Sequence, residues 1–112
     1  MVLGENVVVA VEKLTRYLLL PRRRNDKSGY LARAGYSPST WQQLEADLRE
    51  LARTRPAEPG RDSQFGTFYV VRGELKGPNS AILRVKTVWI RLRERAETRF
   101  VTLVPDVEDL QP

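Results

Sequence analysis

The sequence predicts an α+β fold, with two to three N-terminal helices packed on a three- to four-stranded antiparallel meander. Three observations predict it. Trp41, Leu44, Leu48 and Leu51 recur at helical spacing behind Ser39-Thr40-Trp41-Gln42, which reads as a capping box with Ser39 as N-cap. The hydrophobic period changes from 3.6 to 2 near Gln64. From there, three runs rich in β-branched and aromatic residues (Phe65–Leu75, Ala81–Ile90 and Thr98–Val104) are separated by turn-forming or charged stretches.

A chain of 112 residues supports one domain with a single modest core, here a helical half of about 11–55, a sheet half of about 63–105 and an acidic tail at 106–112. It has neither cysteine nor histidine. Disulfides, thiolate and imidazole metal sites, and the commonest general base are therefore excluded, and no metal or cofactor motif is read. No apolar run reaches the ~18 residues of a membrane span. The opening Met1-Val2-Leu3-Gly4-Glu5-Asn6 has no basic lead, so a cytoplasmic location is expected. Nineteen Lys and Arg against fourteen Asp and Glu leave +5. That excess points to RNA or another nucleic acid, or to an acidic partner. An arginine-rich solvated surface is the plainer reading.

Along the chain, Val7-Val8-Val9 reads as an extended lead-in. A short helix is expected from about Val11 to Leu19, with Leu14, Tyr17 and Leu18 on one face, ended by Pro21. Arg22, Arg23 and Arg24 form the densest charge cluster, either a solvated loop or a phosphate-gripping one. Asn25 or Asp26 can cap a second helix, Lys27–Ala34, closed by Gly35. The third helix runs from Thr40 to about Thr54. Arg55–Asp62, with Pro56, Pro59 and Gly60, reads as a loop. With the hairpin tip near Pro78, Val71 faces Val85, Tyr69 faces Thr87 and Thr67 faces Trp89. The opposite face gathers Arg72, Arg84 and Lys86.

Several segments together resemble a family of small bacterial domains of unknown function. They are Lys13–Leu19, the helix opening at Lys27 and ending in Gly35-Tyr36-Ser37, Phe65–Leu75, Arg84–Ile90, and Arg99–Thr102 with Pro105. The family occurs free-standing and in toxin-like proteins, often beside a small β-rich partner. The layout is also similar to that of the barnase, colicin and RelE ribonuclease toxins. The resemblance implies a toxin-like, metal-independent ribonuclease, with a small antitoxin-like protein as a partner. A non-catalytic protein-binding module that uses the basic sheet face is the alternative.

Metal-free RNA cleavage requires a base, an acid and cations for the phosphorane-like transition state. The expected catalytic residues are Lys27, Arg84 and Thr87. Arg22, Arg23, Arg24, Arg72 and Lys86 are expected to bind nucleic acid, and Tyr69 and Thr102 to add hydroxyl hydrogen bonds. Without histidine, the base falls to Glu74, a lysine or Tyr69.

Overall fold

The computed structural model describes residues 1–24 and 26–106. The fold is α+β, but the sheet is larger than the meander and not purely antiparallel. Five strands lie in the order β1-β5-β4-β3-β2. They are β1 (Val7–Val8), β2 (Ala57–Asp62), β3 (Gly66–Lys76), β4 (Ile82–Leu92) and β5 (Thr98–Pro105). β1 runs parallel to β5, and the other three pairings are antiparallel. β2 corrects the loop reading of Arg55–Asp62. Pro59 lacks an N–H, which an edge strand bonded on one side only can tolerate. The sheet half thus begins at Ala57, not near residue 63. Of the acidic tail, only Asp106 lies within the described residues.

The long strands form because most of the side chains on one of their faces are apolar and meet one core. Val71, Leu75, Leu83, Val85, Trp89, Phe100 and Leu103 are all buried. Trp89 meets Phe100 edge to face across β4 and β5, with ring centroids 5.3 Å apart. Helix α2 (Trp41–Thr54) seats Leu44, Leu48 and Leu51 in that core, and Trp41 packs partly buried against it. Leu51 Cδ2 occupies space that a Cβ at Gly73 would need.

The capping box lies two residues earlier than expected. Ser37 and Thr40 exchange it around the 3-10 turn Pro38–Thr40, which leads directly into α2. Helix α1 (Ser28–Ala32) is short, and Asp26 holds its start by accepting from the Ser28 N–H (2.9 Å) and hydroxyl (2.7 Å).

The β3–β4 register differs by two residues from the predicted one. Val71 pairs with Thr87, Tyr69 with Trp89, Thr67 with Arg91, and Gly73 with Val85. The tip centres on Asn79, not Pro78, because Ser80 takes a left-handed conformation (φ 74°) and its N–H returns to the Gly77 carbonyl at 2.9 Å. Asn79 also ties the tip to the end of α1: its N–H donates to Ala34 O (3.1 Å) and its Nδ2 to Arg33 O (3.1 Å). An even shift preserves the faces of both strands.

The first helical segment is a π-helical turn, Lys13–Leu18, with the Leu19 N–H donating to Leu14 O at 2.9 Å. The wider winding sends Leu14, Leu18 and Leu19 inward and leaves Tyr17 exposed, so Tyr17 is not part of the apolar face. No helix among the described residues is long and apolar enough to cross a membrane.

Candidate functional site

Two surfaces collect the residues singled out in the sequence. The first is a cleft of about 240 Å³ between the π-helical turn, the arginine loop and β5, lined by Lys13, Tyr17, Leu18, Arg22, Lys27, Val101 and Thr102. Lys13 Nζ donates to Val101 O at 3.1 Å, which fixes one ammonium at its wall. Arg22 lies over the Tyr17 ring, 5.1 Å from its centroid, an arrangement that keeps the guanidinium charge at the rim. The Thr102 hydroxyl donates to Leu103 O at 3.4 Å. Arg23 and Arg24 are exposed and share with Arg22 a shallow recess.

The loop conformation has a local cause. Pro21 cannot continue the helical turn, and Asp26 anchors the far end. Hydrogen bonds from the Ser28 hydroxyl and N–H, with smaller help from Arg22, hold the Asp26 carboxyl below the usual carboxylate range. Asp26 is the only acidic residue in residues 13–27, which hold six Lys or Arg. That local excess of five equals the net charge of the whole chain, and the rest of the sequence carries thirteen residues of each sign. The segment that supplies most of the cleft wall therefore carries a local excess of positive charge, and Lys13, Arg22 and Lys27 bring three of its six cations to the lining.

The second surface is the sheet face opposite the helices. Arg72 pairs with Lys86, and Glu74 with Arg84, across β3 and β4. Arg72 also bridges Glu58 (3.3 Å) and Asp106 (3.1 Å), and the Asp106 N–H donates to Arg84 O at 2.9 Å. Arg84 and Lys86 are likewise engaged with other groups. This basic face is answered in part by the chain's own carboxylates. Phe68, Val70, Val88 and Ile90 continue the same face as a half-buried apolar centre.

Lys27 and Thr102 are thus brought together with Arg22, while Arg72, Arg84 and Lys86 gather separately on the sheet. Thr87 joins neither group. It is fully buried on the core face, donating to Val71 O (2.7 Å) and accepting from Trp89 Nε1 (2.8 Å), so its hydroxyl cannot reach an external phosphate. Tyr69 shares Trp89's face and not that of Arg72, with Arg91 5.7 Å from its ring centroid. Lys13, outside the expected site residues, is brought into the cleft by the structure. The i,i+4 spacing of Lys13 and Tyr17 was visible, but the π winding that turns Tyr17 outward was not. Among the described residues, no three of His, Cys, Asp and Glu come together in a way that could hold a metal.

A helical half over a sheet, with a cationic cleft at one strand, defines a small α+β domain. The chain belongs to the family described as Domain of unknown function (DUF6883), which matches residues 4–107. The fold is similar to a chain in the contact-dependent growth inhibition toxin–immunity protein complex from Klebsiella pneumoniae 342. The TM-score is 0.68 at 16% identity, covering 89% of this chain and 93% of that one. No curated protein matches.

Proposed function

We propose that this domain is a toxin-like, metal-independent ribonuclease that holds an RNA phosphate in the cleft of Lys13, Arg22, Lys27 and Thr102. The observation that carries the reading is a cleft lined by three cations, Lys13, Arg22 and Lys27, and by no carboxylate, walled largely by a segment with six Lys or Arg and one Asp. Three cations around one small cleft favour a dianionic phosphorane over the monoanionic diester from which it forms, as transition-state stabilisation requires. The fold-level likeness to a toxin–immunity protein complex supports the toxin-like part of the reading.

In the proposed step, the ribose 2′-oxygen attacks the adjacent phosphorus and the bond to the 5′-oxygen breaks, leaving a 2′,3′-cyclic phosphate and a free 5′-hydroxyl. Water accepts the 2′ proton and the Lys27 ammonium protonates the leaving oxygen. Lys13 is tied to the Val101 carbonyl and Arg22 keeps its charge permanently, so both serve as electrostatic clamps. Glu74 and Tyr69 do not line the cleft, so water takes the place of a side-chain base and Lys27 acts as the acid. An RNA substrate fits the expected cytoplasmic location.

The test uses purified protein, total RNA and EDTA. Cleavage should persist in EDTA, fall sharply in Lys27→Ala and Arg22→Ala, and survive in Arg84→Ala, since Arg84 lies outside the cleft lining. Intact RNA with wild-type protein, or undiminished cutting by a folded Lys27→Ala variant, overturns the reading.

The apolar centre at Phe68, Val70, Val88 and Ile90 favours a second reading, a protein-binding module whose small antitoxin-like partner covers the sheet face. Host growth impaired by this chain and restored by a neighbouring gene, with no RNA cleavage in vitro, would select it.

A further inference from the structure

We infer that Phe65 is a stacking platform for an unpaired nucleobase, so that the strand whose phosphate enters the cationic cleft is single-stranded RNA. The inference rests on the RNA-binding reading above and adds the substrate class and a second subsite.

Phe65 is 66% exposed, although a phenyl ring left in water forgoes about 2 kcal/mol of burial. Its backbone is tied down on both sides. The Phe65 N–H donates to Ser63 Oγ at 3.2 Å, and its carbonyl accepts from the Arg93 N–H at 2.9 Å. Arg93 also donates a side-chain N–H to Ser63 O at 2.7 Å, which straps the β2–β3 turn to the β4–β5 turn. At the next residue, Gly66, a Cβ would collide with the Arg91 carbonyl, so the turn lies flush on β4. The ring is therefore presented by a fixed loop.

Beside it is a recess of about 330 Å³ lined by Gln64, Phe65, Leu92, Glu94, Arg95 and Arg99. The chemistry suits a base and its phosphate. Phe65 offers a π face and Leu92 an apolar floor. The Gln64 amide and the Glu94 carboxylate can meet ring-edge donors and acceptors. Arg95 makes no ion pair among the described residues, and Arg99 has one carboxylate neighbour, Glu97, at 3.4 Å.

The recess and the cationic cleft lie along the same strand. Thr102, in the cleft, pairs with Val88, while Arg99, in the recess, pairs with Ile90. A register shift between Val88 and Trp89 leaves Val101 as the extra residue, so Arg99 and Thr102 face the same side despite their odd separation. Two ladder steps on β4 correspond to about 7 Å, a span that an extended nucleic-acid backbone crosses within a few nucleotides.

The experiment measures binding of a short labelled 2′-O-methyl single strand, which cannot be cleaved through its 2′-oxygen, and of a duplex of the same composition, at several salt concentrations. Phe65→Ala should weaken the single strand roughly 5- to 150-fold with an unchanged salt slope. Phe65→Trp should retain binding and show quenching of the new indole by the single strand. Lys27→Ala should instead reduce the salt slope. If Phe65→Ala binds like wild type while Lys27→Ala is weakened, the stacking platform is refuted and the RNA reading stands. Equal affinity for the duplex also refutes it. If wild-type protein binds neither probe at low salt, both readings fall.

Discussion

Thr87→Val separates a structural hydroxyl from a catalytic one. The Thr87 hydroxyl lies wholly inside the core, where it accepts from Trp89 Nε1 at 2.8 Å and donates to Val71 O at 2.7 Å. Valine keeps the shape and the strand propensity but removes both bonds. The Val71 carbonyl loses one donor, a modest change. The indole N–H of Trp89, itself fully buried, loses the acceptor it bonds and keeps its desolvation penalty. Leaving such a donor unsatisfied costs about 1–3 kcal/mol. Thr87→Ser keeps the hydroxyl and loses one buried methyl, which should cost about 0.5–1.5 kcal/mol by analogy with Ile→Val. For a domain of this size, each kcal/mol corresponds to roughly 3–6 °C in Tm. Urea and thermal unfolding of both variants read these losses, and RNA cleavage is measured well below their melting points. Thr87→Val should be destabilised and still active in the folded state. A variant as stable as wild type would refute the buried network. A stable but inactive one would return Thr87 to the reaction.

Two other predictions concern the scaffold. Leu48 is fully buried, so Leu48→Ala should cost about 2–5 kcal/mol, and an unchanged urea midpoint would contradict its place in the core. Asp47 accepts the Tyr36 hydroxyl at 2.5 Å, and burial holds its carboxyl above the ordinary 3.8 despite that bond and one from Gln43. The folded state therefore keeps this proton to higher pH than the unfolded chain does. The contribution is fully present below the ordinary value and is lost as pH rises through the folded pKa. Asp47→Asn should remove that falling limb, and Tm scans from about pH 3 to 6 with identical slopes for both proteins would contradict the assignment.

The parts of the fold that were legible in sequence are those set by dense local signals. The α2 stripe places four apolar residues over about three turns, and the β3–β4 pair is long and strongly alternating. β2 was hidden because an edge strand with one bonded side can carry Pro59, Gly60 and charged residues that otherwise mark a loop. β1 was read only as extended, since two residues in a parallel pairing depend on a partner some ninety positions away. Alternation alone puts Thr87 on the face of Val85 and Trp89, away from Arg84. It does not say which face the helices cover, and that decides whether a threonine is reachable. For the cleft, Lys27, Arg22 and Thr102 were visible as residue types. Their meeting with Lys13 was not, because it depends on a π-helical turn for which the sequence offers no spacing signal.

The same distribution of charge bears on which cationic surface a phosphate would choose. Arg72 already has Glu58 and Asp106 within 3.3 Å and 3.1 Å, so an incoming anion there must displace a resident carboxylate. Each exposed pair contributes little to stability, about 0–1 kcal/mol, yet it cancels the local field that would draw a ligand in. Around the cleft the one local carboxylate, Asp26, is occupied with the Ser28 N–H and hydroxyl, and six cations share the segment with it. An anion approaching that side meets uncompensated charge and displaces no carboxylate from the cleft lining. Clustering of like charges also raises the free energy of the unliganded loop, and a bound phosphate relieves that repulsion. On the proposed reading, the arginine loop and Lys27, rather than the more conspicuous row of cations on the sheet, are for this reason the surface on which a polyanion would settle.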